Sequence, residues 1–175
     1  MSPSAGDSEA PRLLVARYGP RVFGLHMRLV GKRDAAEDLT QETLLRALAG
    51  LKTYRPEGKF QAWLFRIAIN VARDWIRRRP HEPASGLDPE GEPVATKSAV
   101  ASADADLLGR ERTAKVEQAL ARLPVADREI LSLRFYGELS FKEIARATGE
   151  PLGTVLARAH RALRKLGELL PTDEP

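Results

Sequence analysis

The sequence contains no cysteine, and only 6% of its 175 residues are aromatic. A chain without cysteine forms no disulfide, no thiolate zinc site and no thiol nucleophile, and it suits a reducing cytoplasm. Long apolar runs are also missing, because no stretch approaches the roughly 20 residues that span a bilayer. The first dozen residues lack the basic and apolar regions of a secretory signal. The sequence therefore predicts a cytoplasmic protein without membrane insertion.

Leucine, alanine and arginine dominate the composition, and these residues favour helix over strand. The hydrophobic fraction of 43% is enough for folded cores, although each core would be small. We therefore predict an all-α protein made of two small helical domains. Its formal net charge of +4 is modest for a nucleic-acid binder, so the placement of the charges matters more than their sum.

Helical periodicity divides the chain into two modules. The first module covers residues 11–79 and the second module covers residues 107–170. The segment between them, 80–106, is rich in proline, glycine, serine and acids, and residues 80–111 hold seven acidic and two basic side chains. This composition predicts a flexible acidic linker that joins two basic modules.

The first module opens with a helix predicted from about Arg12 to Val30, with an interruption at Gly19-Pro20. Asp34 follows at a position suited to capping a second helix, where an acid also favours the helix dipole. The apolar side of that second helix is predicted to consist of Leu44, Leu45, Leu48 and Leu51.

Polar side chains recur along the second helix at helical spacing. We call this set the acidic stripe: Asp34, Glu37, Asp38, Gln41 and Glu42. One interpretation is a solvated helix face that includes an ion pair between Glu42 and Arg46. The other is a docking face for a basic partner. On spacing alone the solvated face is favoured, because most charge runs are simply solvated.

A third helix, predicted over residues 61–79, has two faces. Its core face is predicted to be Leu64, Ile67, Ala68, Val71 and Trp75. A second face carries Arg66, Asn70, Arg73 and Arg77. Guanidinium and amide groups near Trp63 and Tyr54 are typical of sites that bind phosphates and unpaired bases. An ordinary helix with cations in its last turn explains residues 77–79 equally well, but it does not explain Asn70.

The sequence of the second module predicts four helices. Pro124 separates the first two, and Gly137 ends the second. Ser140 and Glu143 match a capping box, which marks the start of a short third helix. The residues predicted to face the core from these three helices are Val116, Ala119, Leu120, Leu123, Ile130, Leu131, Leu133, Ile144 and Ala145.

The last helix is predicted to begin at Gly153-Thr154. Its inward face is predicted to be Leu152, Val155, Ala159, Leu163 and Leu166. Its outer face carries Thr154, Arg158, Arg161 and Lys165, with Arg164 beside them. A short helix, a tight turn and a longer basic helix are typical of a helix-turn-helix, whose second helix enters the major groove.

Four segments, in this order, resemble the extracytoplasmic-function group of bacterial sigma-70 RNA polymerase sigma factors. They are DAAEDLTQETLLRAL at 34–48, FQAWLFRIAINVARDWIRRR at 60–79, LPVADREILSLRFYGELSFKEIA at 123–145 and GTVLARAHRALRKL at 153–166. The resemblance covers roughly residues 11–168. It implies no enzymatic activity and no cofactor, and it implies core RNA polymerase, promoter DNA and an anti-sigma factor as partners.

The resemblance also assigns roles to the modules. The first would bind the polymerase clamp and melt the minus-ten promoter element, and the second would read the minus-thirty-five element. The acidic stripe resembles the clamp-docking surface of the family. The resemblance therefore favours a docking face over the solvated face that spacing alone favoured. Minus-ten contacts would be Tyr54, Arg55, Lys59, Phe60, Trp63, Arg66, Asn70, Arg73, Asp74 and Arg77. Minus-thirty-five contacts would be Thr154, Leu156, Ala157, Arg158, Arg161, Arg164 and Lys165.

One departure from the family pattern falls at Leu156 and Ala157, where members often have a basic and a small polar residue. Either these residues meet a thymine methyl group in a different element, or binding depends more on phosphates. The acidic linker is similar to family linkers that pass through the polymerase toward the RNA path, where its charge would imitate nucleic acid.

Two other functions remain open at the level of sequence. One is a freestanding helix-turn-helix regulator that binds duplex operators as a dimer, and the other is an interaction module for acidic partners. Catalysis is not expected, because the sequence has no glycine-rich phosphate loop, nucleophile elbow or zinc-protease helix. A metal site is not expected either, because His26, His81 and His160 are far apart in the sequence.

Overall fold

The computed structural model describes residues 5–56, 59–79 and 103–170, and the regular elements in these ranges are all α-helices. They are α1 (Ala5–Val30), α2 (Arg33–Gly50), α3 (Phe60–Arg78), α4 (Ala103–Ala121), α5 (Val125–Phe135), α6 (Phe141–Thr148) and α7 (Leu152–Leu169). The predicted all-α class is confirmed. Over 80–102 the predicted linker lies outside the described residues, and α4 begins within the remainder of it, at Ala103.

α1 runs through Pro20 without a break, so the predicted interruption at Gly19-Pro20 is wrong. A proline inside a helix removes one backbone hydrogen bond and crowds the preceding turn. The helix continues because the turns that follow are anchored in the core, where Val22, Leu25 and Leu29 are buried. Tertiary packing of this face outweighs the local cost of the proline.

α2 begins at Arg33, with Lys32 at the cap position, so the prediction that Asp34 caps the helix is wrong. Asp34 instead lies in the first turn, where its charge still favours the helix dipole. Leu45 was predicted to be buried, but it is 59% exposed. The side of α2 that faces the core consists of Ala36, Leu39, Thr43, Leu44 and Ala47, and Leu48 and Leu51 are half-buried.

α3 is buried more widely than its sequence pattern predicts. Its buried residues are Leu64, Phe65, Ala68, Ile69, Val71 and Ala72. Ile67 and Trp75, which the pattern placed in the core, are half-buried. The difference arises because α3 contacts α1, α2 and α6, so neighbours cover more of its circumference than one partner would.

Local signals fix the helix ends in the second module. Ser140 Oγ accepts from the Glu143 amide at 3.3 Å and Glu143 Oε2 accepts from the Ser140 amide at 2.8 Å, which confirms the capping box. Gly149 ends α6 in the left-handed conformation, with φ of 73°. Gly137 lies so close to the preceding helix that an added Cβ would stand 2.5 Å from the Leu133 carbonyl oxygen.

α7 starts at Leu152, two residues before Thr154, and buries a narrower stripe than predicted. Val155, Ala159 and Ala162 are buried and Leu166 is half-buried. The predicted inward positions Leu152 and Leu163 are exposed, which corrects that part of the pattern. The helices α5 and α6 contact α7 and cover only the centre of its apolar face.

The two modules pack against each other. Buried residues of α1, α2 and α3 form one contiguous apolar cluster with buried residues of α5, α6 and α7, and a smaller cluster joins α4, α5 and α7. The sequence had predicted a separate small core in each module. In the structure the larger cluster crosses between the modules, chiefly where α1 meets α5 and α3 meets α6.

His26 is fully buried and bridges three helices of the first module. Its Nδ1 lies 3.1 Å from Thr40 Oγ1, and its Nε2 lies 3.2 Å from the Ala68 carbonyl oxygen. Burial lowers the pKa of His26 from 6.5 to about 4, although the hydrogen bond with Ala68 acts in the opposite direction. The folded chain therefore keeps this ring neutral at pH 7.

The low pKa of His26 predicts acid sensitivity. Below pH 6.5 the His26 ring binds a proton in the unfolded chain, whereas in the folded chain it binds one only below about pH 4. The contribution of His26 to the free energy of unfolding is therefore fully present above pH 6.5 and is lost as the pH falls toward 4. We expect the free energy of unfolding to drop by about 2 kcal/mol between pH 7 and pH 5 from this residue.

Urea unfolding at pH 7 and pH 5 measures this loss. His26→Gln should show a shallower pH dependence than the unmodified chain, whatever its absolute stability. The control is His160→Gln, because His160 is exposed on α7. Equal pH dependence in all three proteins would contradict the assignment.

Candidate nucleic-acid interface

An aromatic cluster lies where the loop after α2 meets α3. The Tyr54 ring centre is 4.9 Å from that of Trp63 and 5.5 Å from that of Phe60. Phe60 in turn lies 5.3 Å from Trp63 and 5.4 Å from Tyr18 on α1. Because each ring contacts at least one other, the cluster presents a preformed apolar surface.

A cavity of about 390 Å³ opens beside this cluster. Four of its lining residues were predicted as minus-ten contacts: Tyr54, Arg55, Trp63 and Asn70. The remaining lining residues were not predicted from the sequence: Arg46, Gly50, Thr53 and Ile67. Aromatic faces with amide and guanidinium donors are suited to stacking and hydrogen bonding an unpaired base. The structure thus brings part of the predicted minus-ten set into one pocket.

Arg46 and Gly50 join the pocket to the acidic stripe. Glu42, Arg46, Gly50 and Tyr54 follow one another at intervals of four residues, so the first three lie on one side of α2. Arg46 Nη2 donates to Glu42 Oε1 at 2.5 Å, which confirms the predicted ion pair. Arg46 and Gly50 precede Tyr54 by eight and four residues, and this spacing was the signal that could have identified both residues. It predicts a shared pocket only when the end of α2 is known.

Gly50 provides a test of the pocket wall. An added Cβ would lie 2.9 Å from Trp63 Cζ2, so Gly50→Ala should push the indole out of its position. We expect this variant to lose about 1 kcal/mol of base stacking, or roughly fivefold in promoter opening. Tryptophan fluorescence and opening of a duplex promoter measure the two effects.

Gly109→Ala is the matched control for this substitution, because no described atom outside its own helix turn lies within 4 Å of an added Cβ there. It should leave both the fluorescence and promoter opening unchanged. If Gly50→Ala opened promoters as well as Gly109→Ala does, Trp63 would not form a functional wall of the pocket.

The other predicted minus-ten residues divide into two groups. Arg66 is exposed on α3, and Arg77 donates to Asp74 at 3.0 Å on the same outer surface. Lys59 and Arg73 instead face the second module. Lys59 Nζ is 3.6 Å from a Glu143 carboxylate oxygen. The predicted set is therefore not one continuous surface in this conformation.

Arg73 is the most constrained of these residues. Its Nε and Nη2 donate to the two carboxylate oxygens of Glu129 at 3.0 and 2.6 Å, and its Nη1 donates to the Thr148 carbonyl at 3.0 Å. Burial raises the pKa of Glu129, while the hydrogen bonds and charge of Arg73 lower it. The bidentate pair fixes α3 to α5, and the bond to the Thr148 carbonyl fixes it to α6.

The acidic stripe occupies the outer face of α2. All five of its residues are exposed. Arg33 donates to Glu37 at 3.0 Å, so the stripe contains a second ion pair beside that of Glu42. The exposed Leu45 follows Gln41 by one helical turn, which gives the acidic surface an apolar neighbour.

The helix-turn-helix is formed by α6 and α7. Six of the seven predicted minus-thirty-five residues are exposed on α7: Thr154, Leu156, Ala157, Arg161, Arg164 and Lys165. The exception is Arg158, which is half-buried. Its Nη1 donates to Glu150 at 3.0 Å, and its Nε is 3.9 Å from Asp127.

These features define a class of protein. One helical module has a pocket suited to an unpaired base, and the other presents the basic second helix of a helix-turn-helix. The geometry of such a chain suits contact with melted DNA through the first module and with duplex DNA through the second. In the part of the chain that the structure describes, no helix is both long and apolar enough to cross a bilayer.

Comparison with known families agrees with this class. Residues 14–81 match the family described as Sigma-70 region 2, and residues 113–166 match Sigma-70, region 4. The chain is 34% identical over 170 residues to the RNA polymerase sigma-H factor of Pseudomonas aeruginosa, covering 94% of this chain and 88% of that protein. It is also 34% identical over 170 residues to the ECF RNA polymerase sigma factor SigW of Bacillus subtilis, with 91% and 90% covered.

Two solved structures share the fold. The sigma factor RpoE of Bartonella quintana, in complex with the anti-sigma factor NepR, aligns with a TM-score of 0.71 and 28% identity over 93% of this chain and 98% of that one. CnrH, in complex with the cytosolic domain of CnrY, aligns with a TM-score of 0.64 and 27% identity over 97% and 93%. The chain belongs to the extracytoplasmic-function group of sigma-70 factors, and as an alternative sigma factor it directs promoter-specific transcription initiation.

Proposed function

We propose that this sigma factor works in the cytoplasm through three surfaces and without catalytic residues of its own. Residues 11–79 bind core RNA polymerase and melt the minus-ten element, and residues 107–170 read the minus-thirty-five element. Residues 80–106 serve as the linker. The observation that carries the proposal is the aromatic pocket, because one of its walls is α3, the helix that also carries the exposed Arg66 and Asn70.

The pocket supports a specific account of melting. Extruding a base from a duplex costs a few kcal/mol, and stacking on aromatic side chains returns about 1–3 kcal/mol per base. Tyr54 and Trp63 supply the stacking faces, and the Asn70 amide both donates and accepts hydrogen bonds. Arg66 and Arg77, on the outer surface of α3, bind phosphates of the separated strand.

The acidic stripe supports docking to a basic surface of the polymerase. Its carboxylates are exposed along one face of α2, so they meet a partner without unfolding the module. Leu45 adds an apolar contact at the edge of this face. Charge complementarity then guides association, and burial of Leu45 adds affinity.

α7 supports reading of duplex DNA. Thr154, Leu156 and Ala157 lie in its first turns, from which a recognition helix contacts base edges. Leu156 and Ala157 are exposed, as contact with a thymine methyl requires. The cations farther along the helix, Arg161, Arg164 and Lys165, bind phosphates and fix the orientation of the helix on DNA.

An anti-sigma factor is a further partner that we propose for this chain. The relatives RpoE and CnrH form complexes with NepR and with the cytosolic domain of CnrY. A partner of this kind regulates the chain by competing for the surfaces that bind polymerase or DNA.

The function is tested by mixing the purified chain with core RNA polymerase and a set of duplex promoters. We expect a stable complex and transcripts that start only at some of the promoters. Tight duplex binding by the chain alone, with no complex and no transcripts, would support a freestanding helix-turn-helix regulator instead.

A further inference from the structure

The first turns of α7 carry no charged side chain. Residues 152–157 read LGTVLA, and Thr154 supplies the one side-chain hydrogen-bonding group among them. Leu152 is 36% exposed and Leu156 is 43% exposed, whereas Val155 is buried. Residues four positions apart lie on the same side of a helix, so the two leucines form one exposed apolar edge. We call Leu152 and Leu156 the leucine edge.

The leucine edge lies in the part of α7 that is placed to read bases. A recognition helix contacts base edges with its N-terminal residues. In the major groove, guanine is read by hydrogen bonds from arginine or lysine and adenine by those from asparagine or glutamine, whereas thymine presents its C5-methyl group. Leucine side chains donate and accept no hydrogen bonds, so the base feature that matches the leucine edge is the thymine methyl.

Small residues lie beside the leucine edge. Gly153 and Ala157 each follow one of the two leucines, and both are exposed. No described atom outside the local helix turn lies within 4 Å of a Cβ added at Gly153, so packing among the described residues does not require the glycine. A glycine at this position leaves room for the helix to approach the bases closely. The leucines are then the side chains that project farthest toward the groove from this edge.

Arg158 does not supply the hydrogen bonds that the leucine edge lacks. It is half-buried, its Nη1 donates to Glu150 at 3.0 Å, and its Nε is 3.9 Å from Asp127. Both acids belong to the same module as α7, and they hold the guanidinium away from the paired acceptors of a guanine. The next cation, Arg161, lies about 7.5 Å beyond Leu156 along the helix axis, so it faces a different part of the DNA.

We propose that α7 reads thymine in the minus-thirty-five element through its methyl group, with Leu152 and Leu156 as the specificity-determining residues. The inference rests on the proposed function, because it takes α7 as the recognition helix. It adds Leu152, which the sequence pattern placed inward, to the residues that contact DNA. The element therefore contains thymine, on one strand or the other, at the base pairs that face the leucine edge. Arg161, Arg164 and Lys165 add affinity through phosphates and no preference among bases.

Replacement of thymine by uracil tests the leucine edge, because uracil keeps the hydrogen-bonding groups of thymine and lacks only the methyl. Promoters are first selected from a duplex library with a randomised upstream region, by transcription with the full-length chain and core polymerase. Each thymine of the selected minus-thirty-five element is then changed to uracil. We expect at least one change to lower the affinity of the complex for the promoter by about fourfold, as the loss of one buried methyl predicts. A selected element without thymine, or no loss at any thymine, would overturn the inference.

Leu156→Ala identifies the side chain that contacts the methyl. At the position that Leu156 reads, the ratio of thymine to uracil affinity should fall from about four to about one. Leu152→Ala should have the same effect at a second thymine. The matched control is Leu163→Ala, because Leu163 is also 43% exposed on α7 but lies about 10 Å beyond Leu156 along the axis. The control should keep the ratio, which compares two DNAs with one protein and so cancels any loss of stability.

The outcomes separate the inference from the proposed function. Transcripts that depend on the chain but tolerate every uracil would refute methyl reading and leave the sigma-factor function standing. A leucine edge that docks a partner protein in place of DNA would leave the ratios the same in Leu156→Ala and the unmodified chain, and this result would also refute the inference. Absence of chain-dependent transcripts from the whole library would count against the function itself, and the inference would fall with it.

Discussion

Trp63→Ala should reduce opening of a duplex promoter by roughly 5- to 150-fold, because it removes about 1–3 kcal/mol of stacking with the extruded base. Trp63 contacts both Tyr54 and Phe60 and lines the pocket, so the substitution removes the central wall of the site. Permanganate footprinting of unpaired thymines measures opening directly. A promoter with a pre-melted minus-ten element should show a smaller loss, because it needs no melting.

Trp75→Ala is the matched control for this prediction. Trp75 is also a half-buried tryptophan on α3, but it does not line the pocket and its ring contacts Arg79. It should lower activity on duplex and pre-melted promoters by the same factor, if at all. An equal loss on both templates for Trp63→Ala would mean that the indole supports the fold rather than melting.

Asp38→Lys should weaken binding to core RNA polymerase by about tenfold to a hundredfold, because it places a like charge against a basic docking surface. Asp38 lies in the middle of the acidic stripe and is exposed, so the change should leave the folded module intact. Titration of labelled chain with core polymerase, without DNA, measures the affinity.

The appropriate comparison for Asp38→Lys is Glu168→Lys, which makes the same change in charge on α7. It should leave core binding nearly unchanged. Similar losses in both variants would indicate a response to net charge, and the acidic stripe would lose its assignment as a docking face.

Local patterns in the sequence were sufficient for most helices and for some exposed surfaces. The Ser140–Glu143 capping box was correct because both partners lie within one helical turn. The acidic stripe was placed on one exposed face because the period of a helix alone determines that geometry. The Glu42–Arg46 pair is predictable for the same reason.

Features that depend on packing between elements were missed or misplaced. Leu45 and Leu163 fit an apolar pattern, but no helix in the described part of the chain covers them. Pro20 was expected to break α1, but buried residues on the next turns hold the helix together. These errors share a cause, since periodicity shows which residues share a face and not how much of that face a neighbour covers.

The pocket and the contacts of Arg73 and Arg158 show the same limit at the functional site. The sequence suggested Asn70 and the aromatic residues, but Arg46 and Gly50 join them only because α2 ends beside Trp63. Arg73 and Arg158 were assigned to DNA from their helix faces. The contacts of Arg73 with Glu129 and Thr148 involve residues distant in sequence, and only the packing of the two modules brings them together. Arg158 meets Glu150 within the second module, across the turn between α6 and α7.

We conclude that one chain directs polymerase to promoters by reading two separated DNA elements. Transcription of a random promoter library by core polymerase, with and without the purified chain, tests this claim most directly. We predict that transcripts made only in the presence of the chain come from promoters that share two sequence elements, a minus-ten and a minus-thirty-five element, at a fixed spacing. Transcripts from the same promoters with and without the chain, or enrichment of a single duplex element bound by the chain alone, would contradict it.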